Sequence, residues 1–270
     1  REDAATRLVI KKYKSSAAHP WGSLKISSGN EKTGADPLLH LLAAGPDGER
    51  LDLTGKVDAS GNLDWAPDRG EWFLYACFLG KTGQEVKRAA PGGRGLVIDH
   101  FSPRAVAAYQ AWLDRSLGAD NRGLRAVFND SYEAYETDWT PDFFASFAAR
   151  KGYDLRRYLK ELSGEGDPQI ISRIRCDYRE VLSELLLENF AEKMTGWANR
   201  RNSLFRNQAH GSPGNILDLY GAADIPECET FGASSFDIPM EDPVAGMSLP
   251  AEQDQFITRF AASAAHTSGR

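Results

Sequence analysis

Cysteine is scarce: Cys77, Cys176 and Cys228 are the three in 270 residues. Their wide spacing fits neither a disulfide framework nor a CxxC zinc pattern, so all three are expected to act as small buried hydrophobes. No apolar run approaches the roughly 18 residues that mark a membrane span. No block of one charge sign exists either: 32 Lys and Arg are interspersed with 38 Asp and Glu, for a net −6. That argues against a nucleic-acid surface, which needs a basic patch. Gly92-Gly93-Arg94-Gly95 precedes an apolar segment instead of following one, the wrong order for a phosphate loop. A GxSxG nucleophile elbow is missing too. The opening REDAATRLVIKKYK has no initiating Met, and it lacks the apolar core and cleavage site of a signal peptide. It therefore leaves the compartment unread.

What is present falls into two parts, residues 1–94 and 95–270. In the first, Leu51–Val57, Asn62–Trp65 and Trp72–Phe78 are short and strand-like. Polar turns at 59–62 and 67–70 separate them, which predicts an antiparallel hairpin or meander. Residues 28–38 and 80–94 are polar and rich in Gly and Pro, and are expected to be loops. In the second part an architectural unit recurs: a short apolar strand, a polar loop, then Ser or Thr before Pro to open a helix. Gly95–Asp99 leads to Ser102-Pro103, Leu124–Phe128 to Thr140-Pro141, and Leu204–Asn207 to Ser212-Pro213. The hydroxyl accepts an orphan amide, and Pro has no amide hydrogen to lose at that position. Such units predict parallel βα repeats.

A long helix over about Pro168 to Arg200, capped by Asp167, is expected from the helical spacing of Ile170, Ile171, Ile174, Tyr178, Val181, Leu182, Leu185, Leu186, Phe190, Met194 and Trp197. A short strand at Ala222–Pro226 and an amphipathic helix at Ala251–His266 complete the reading. The expected fold class is α/β: parallel βα repeats of the kind that build a (β/α)8 TIM barrel, behind a small β-rich subdomain. About four βα-type strands are visible, too few to close a barrel of eight.

The segment Leu124–Tyr135, LRAVFNDSYEAY, carries the most chemistry. A buried strand breaks into Asn129, Asp130, Ser131 and Glu133, with Tyr132 and Tyr135 interleaved. Barrel enzymes place their chemistry at the C-terminal ends of strands, and glycoside hydrolysis needs carboxyl groups beside a sugar ring. Other strand ends add Asp99, His100 and Ser102; then Asn207, Gln208 and His210; then Asp224, Glu227 and Glu229. Candidate substrate contacts are Asp99, His100, Tyr132, Trp139, Gln208, His210 and Glu227. Each cluster has a plainer alternative. Asp99 and Asp130 would serve equally as helix or turn caps, His210 as a loop histidine bonded to backbone, and Glu227 as solvated surface. The carboxylates themselves have two competing uses: general acid and base across a glycosidic bond, or oxygen ligands for a hard cation such as calcium.

PGGRGLVIDHFSPRAVAAY, FNDSYEAYETDWTPDFFASFAARKGYDLRRYL, RIRCDYREVLSELLLENF and NQAHGSPGNILDLYGAADIPECETFG together resemble glycoside hydrolase family 106, the α-L-rhamnosidases. The likeness runs from about Pro91 to Gly232. It implies an (α/β)8 barrel, with Glu133 as the general acid protonating the leaving oxygen. It also implies calcium on Asp130 and Glu229, holding two hydroxyls of rhamnose, and an inverting reaction. The second catalytic glutamate would lie on a strand beyond Arg270, so the chain is expected to be a central piece of a larger enzyme. Terminal rhamnose on plant glycans or glycosides is the implied substrate, and a periplasmic or secreted location the implied setting. The alternatives are a non-catalytic, calcium-dependent carbohydrate-binding protein on a degenerate barrel, or a glycosidase for another sugar.

Overall fold

The computed structural model describes residues 3–16, 24–29, 36–87, 89, 91–118, 123–229 and 252–269. In chain order these form β1 (Thr6–Ser16), β2 (Leu38–Ala44), β3 (Arg50–Asp52), β4 (Glu71–Lys81), α1 (Pro103–Leu117), β5 (Ala126–Asn129), α2 (Phe143–Lys151) and α3 (Leu159–Leu162). Then follow α4 (Pro168–Leu186), a π-helical turn (Leu187–Ala191), α5 (Glu192–Arg200), β6 (Leu204–Gln208), α6 (Ile216–Ala222), β7 (Ile225–Glu227) and α7 (Glu252–Ser268). Two sheets result: an antiparallel one in the order β1-β4-β2-β3, and a parallel one in the order β5-β6-β7. The fold is thus mixed α/β. Among the described residues the parallel strands number three, short of the eight that close a barrel. No described helix is long and apolar enough to cross a membrane.

Two compact units divide the chain. One comprises residues 1–105 and 135–182, the other 106–134 and 183–270. The β-rich residues up to 94 fall wholly within the first unit, and the βα residues from 95 onward are shared between both.

In the first unit β4 is the organising strand, paired along its full length with β1 and on its other edge with β2. Trp72, Leu74, Ala76 and Phe78 alternate onto one face and join Ile26, Leu41, Ala43, Leu53 and Leu63 in a core. The opposite face buries Leu42, Tyr75 and Cys77 and adds polar contacts. Arg50 forks onto buried Glu161 at 2.5 and 3.0 Å, and the Tyr75 hydroxyl donates to Glu165 at 3.0 Å.

Several expectations are corrected here. The proposed hairpin of 51–57 with 62–65 reduces to single bridges, Val57 with Leu63 and Lys25 with Asn62, around a 3₁₀ turn at Thr54–Lys56. The Asp58 carboxylate explains this: it accepts from the amides of Ser60 and Asn62 and closes the loop on itself. The long strand β1 and the whole of β2 lie in stretches not read as strand, and Leu38 falls in the expected 28–38 loop. Residues 95–99 form no strand of the parallel sheet; Leu96 bridges Glu85 and Ile98 bridges Ala4, both antiparallel. Cys77 is buried as expected, but Cys176 is exposed and Cys228 only partly covered.

The helix signals fare better. The Ser102 hydroxyl accepts from the Ala105 amide at the start of α1, and Asp167 accepts from Gln169 and Ile170 at the start of α4. α2 begins two residues after Pro141, with Asp142 at its N-cap position. At α6 the cap is Asn215, whose side chain accepts from the Leu217 amide, in place of Ser212. The expected long helix exists as α4, the π turn and α5 in unbroken succession. Its apolar stripe is buried from Ile174 to Trp197, while Ile170 is exposed. Met194 and Trp197 are core residues, and Trp197 Nε1 donates to Asp114 at 3.0 Å.

Candidate active site

The second unit gathers the candidate residues at the C-terminal ends of β5, β6 and β7. In the parallel register Asn129 stands beside Asn207, and Gln208 beside Glu227. Strand alternation sends Phe205 and Asn207 to one face and Arg206 and Gln208 to the other. Phe205 is fully buried against Phe190, and Asn207 Oδ1 accepts from Asn129 Nδ2 at 2.8 Å. This amide pair ties the two strand ends together where the backbone ladder stops. A small pocket opens there, lined by Asn129, Tyr132, Asn207, Gln208 and Ser212 with Leu186, Phe190 and Leu219 behind them.

Beyond β5 the chain makes a tight crossing with the loop after β6. The Tyr132 amide donates to the His210 carbonyl at 3.0 Å. Gly211, at φ +81°, lies so close that a Cβ there would sit 2.7 Å from the Tyr132 carbonyl oxygen. Glu133 follows directly, exposed between this anchored residue and buried Ala134. Asp130 is also exposed, with Oδ1 accepting from the Ser131 amide at 2.8 Å.

His210 is the buried centre of the group. Its Nδ1 lies 3.4 Å from the hydroxyl of fully buried Tyr220, and its Nε2 lies 4.0 Å from Glu229. Burial lowers its pKa, while the carboxylates of Glu229 and then Asp130 pull it back upward. Asp130 and Glu229 therefore converge electrostatically on one imidazole. Tyr220 is pushed up to about 12, chiefly by burial, so its hydroxyl keeps its proton and can donate to Nδ1.

Glu227 has a different environment. Arg206 grips both of its oxygens, through Nε and, at 2.8 Å, through Nη2. Gln208 Nε2 donates to it at 2.9 Å. Arg206 was not among the sequence candidates. Its signal was the alternation that puts residue 206 on the face of 208, which has meaning only once Glu227 is known to lie opposite.

The remaining candidates belong to the first unit. Asp99 is buried and accepts from the Phe101 amide at 3.0 Å; burial raises its pKa to about 6, against the Thr140 hydroxyl bond that lowers it. The Nδ1 of His100 is buried, and burial holds that imidazole down to about 4. Trp139 has no exposed surface and packs its ring against Phe143 and Phe144, with centroids 4.7 and 4.8 Å away.

As for a hard cation, Asp130 and Glu229 supply two carboxylates of the right chemistry. Among the described residues no group of three or more His, Cys, Asp or Glu is placed to hold a metal. Calcium takes six to eight oxygens, so these side chains alone do not make a calcium site.

An exposed carboxyl on a turn whose preceding residue is anchored to the loop carrying buried His210 is an arrangement suited to a polyhydroxylated ligand. The comparison with known families is decisive: residues 9–270 match the glycoside hydrolase family 106 profile, described as α-L-rhamnosidase. The chain belongs to glycoside hydrolase family 106. The family match starts within β1 and so takes in almost the whole antiparallel sheet as well as the parallel one. A solved structure, a rhamnosidase from Novosphingobium sp. PP1Y, is similar with a TM-score of 0.59 and 30% identity over 68% of this chain. A putative β-glucuronidase from Formosa agariphila is 28% identical over 200 residues, 71% of this chain. The chain spans 19% of the first relative and 17% of the second.

Proposed function

We propose that this family 106 chain carries the acid side of an inverting α-L-rhamnosidase that removes terminal rhamnose from plant glycans or glycosides. The observation that carries the reading is the coincidence of a family match over 9–270 with exposed Glu133 on an anchored turn at a parallel strand end. Glu133 is the general acid. It reaches solvent, and its neighbour Tyr132 is fixed to His210, so the carboxyl is presented from a rigid point. Protonating the glycosidic oxygen requires only such a carboxyl, correctly placed and carrying a proton. Inversion then needs a second carboxylate roughly 6.5–9.5 Å away to activate water.

In the same reading β5, β6 and β7 are consecutive strands of a (β/α)8 barrel. Tyr132, Gln208 and His210 contact the sugar, and the location is periplasmic or secreted. Calcium assists, with Asp130 and Glu229 giving two oxygens and water and backbone carbonyls the rest; when bound it would orient neighbouring sugar hydroxyls. Trp139, without exposed surface, has no part in these contacts.

The experiment is hydrolysis of aryl α-L-rhamnosides by the enzyme that carries this chain, beside aryl β-glucuronides and other aryl glycosides. Rhamnoside cleavage that falls by about 10³-fold or more in Glu133→Gln supports the assignment. Undiminished activity in that variant would remove Glu133 from the mechanism. The likeness to a putative β-glucuronidase favours one second reading, the same chemistry on another sugar. Selective turnover of a glucuronide would establish it.

A further inference from the structure

Gln208 is 7% exposed, and the two ends of its amide are treated unequally. Nε2 donates to Glu227 Oε1 at 2.9 Å. Oε1 is buried and accepts no hydrogen bond among the described residues. The cause lies in Glu227. With Arg206 forked onto both oxygens, it is an ionised carboxylate and can only accept. It therefore admits the NH₂ end of the neighbouring amide, since a flipped amide would set oxygen against oxygen. Arg206 is itself held, its guanidinium 4.4 Å from the Phe128 ring centroid. The register completes the device: Glu227 stands opposite Gln208, and Arg206 lies two residues earlier on the same face of β6.

A buried acceptor without a donor is costly, and such orphans mark places where a ligand or water is expected. We propose that Gln208 presents its amide oxygen to one hydroxyl of the sugar being cleaved, held in that sense by Glu227, which Arg206 locks. Gln208 is then a specificity-determining residue, and Glu227 and Arg206 are positioning residues. This rests on the glycosidase reading above and deepens it: the site selects a sugar with a hydroxyl donor at one ring position.

The test is kinetic, on the enzyme that carries this chain. Wild type, Gln208→Leu and Arg206→Lys are compared on an aryl α-L-rhamnoside and its 2-, 3- and 4-deoxy analogues, with thermal midpoints of all three proteins. Wild type should lose about 10- to 100-fold in kcat/KM on one particular analogue. Gln208→Leu should lose about as much on the parent sugar and nothing further on that analogue, while the other two analogues keep their full penalty. Arg206→Lys, which keeps the charge but not the fork, should show a smaller loss confined to the same hydroxyl, with its midpoint close to wild type. Equal losses on every substrate, whether from altered folding or from a cation or water held at Oε1, overturn the proposal. If wild type ignores rhamnosides but cleaves another glycoside, the rhamnosidase reading fails, and the same comparison on that sugar decides for Gln208. If it cleaves no glycoside, both fall together.

Discussion

Asp99 shows how one buried side chain sets a pH dependence. With its pKa near 6 in the fold against an ordinary 3.8, the folded state binds the proton more tightly than the unfolded chain. Between these values the native state holds more protons, so stability falls as pH rises from about 4 through 6. The full difference is about 3 kcal/mol. Asp99→Asn keeps an oxygen to accept from the Phe101 amide but cannot ionise. Urea unfolding should find variant and wild type alike near pH 4 and the variant more stable by up to about 3 kcal/mol at pH 7. A constant difference across that range would show that Asp99 titrates normally. The sequence offered Asp99 as a strand-end acid or a cap. The described contacts fit the cap, because the residue folds back onto the amide two positions ahead.

At the scale of elements, the crossing of the two loops after β5 and β6 depends on Gly211. Its left-handed backbone costs an L-residue about 1–2 kcal/mol, and the Tyr132 carbonyl leaves no room for a Cβ. Gly211→Ala should lower unfolding stability by on the order of 2 kcal/mol and loosen the turn bearing Glu133, raising amide exchange at Tyr132. Gly221, inside α6 with nothing within 4 Å, is the contrast: its change to Ala should stabilise by about 0.5–1 kcal/mol. Equal effects at the two positions would contradict the crossing. Caps such as Ser102 and Asp167 were legible because a cap is decided within four residues of chain. β5 was legible as an apolar run, and β6 from its place in the recurring strand–loop–Ser-Pro unit. β1 was not, since Lys11, Lys12 and Lys14 break its pattern, and its strand state comes from eleven paired residues on β4, far along the chain.

For the molecule as a whole, the calcium proposal makes the sharpest demand. Two carboxylates around one buried imidazole bind a hard cation weakly by themselves, so the shell must be completed by water, carbonyls or sugar hydroxyls. Chelation should therefore raise KM for rhamnosides, and calcium should restore it. Asp130→Ala should abolish the calcium response, read by calorimetric titration of the metal. Activity indifferent to chelator in a verified metal-free sample would remove calcium from the reading.

By itself the sequence determined the starts of α1 and α4, the parallel strands β5 and β6 with part of β7, and the polar residues at their ends, for all of these are encoded over a few neighbouring positions. Only the tertiary structure decided that residues 95–99 make single antiparallel bridges to Ala4 and Glu85, that Trp139 belongs to a core, and that Glu227 is engaged by Arg206 and by Gln208. Each of those depends on which strand lies alongside, and strand pairing is a matter of register between distant segments, which local composition does not carry.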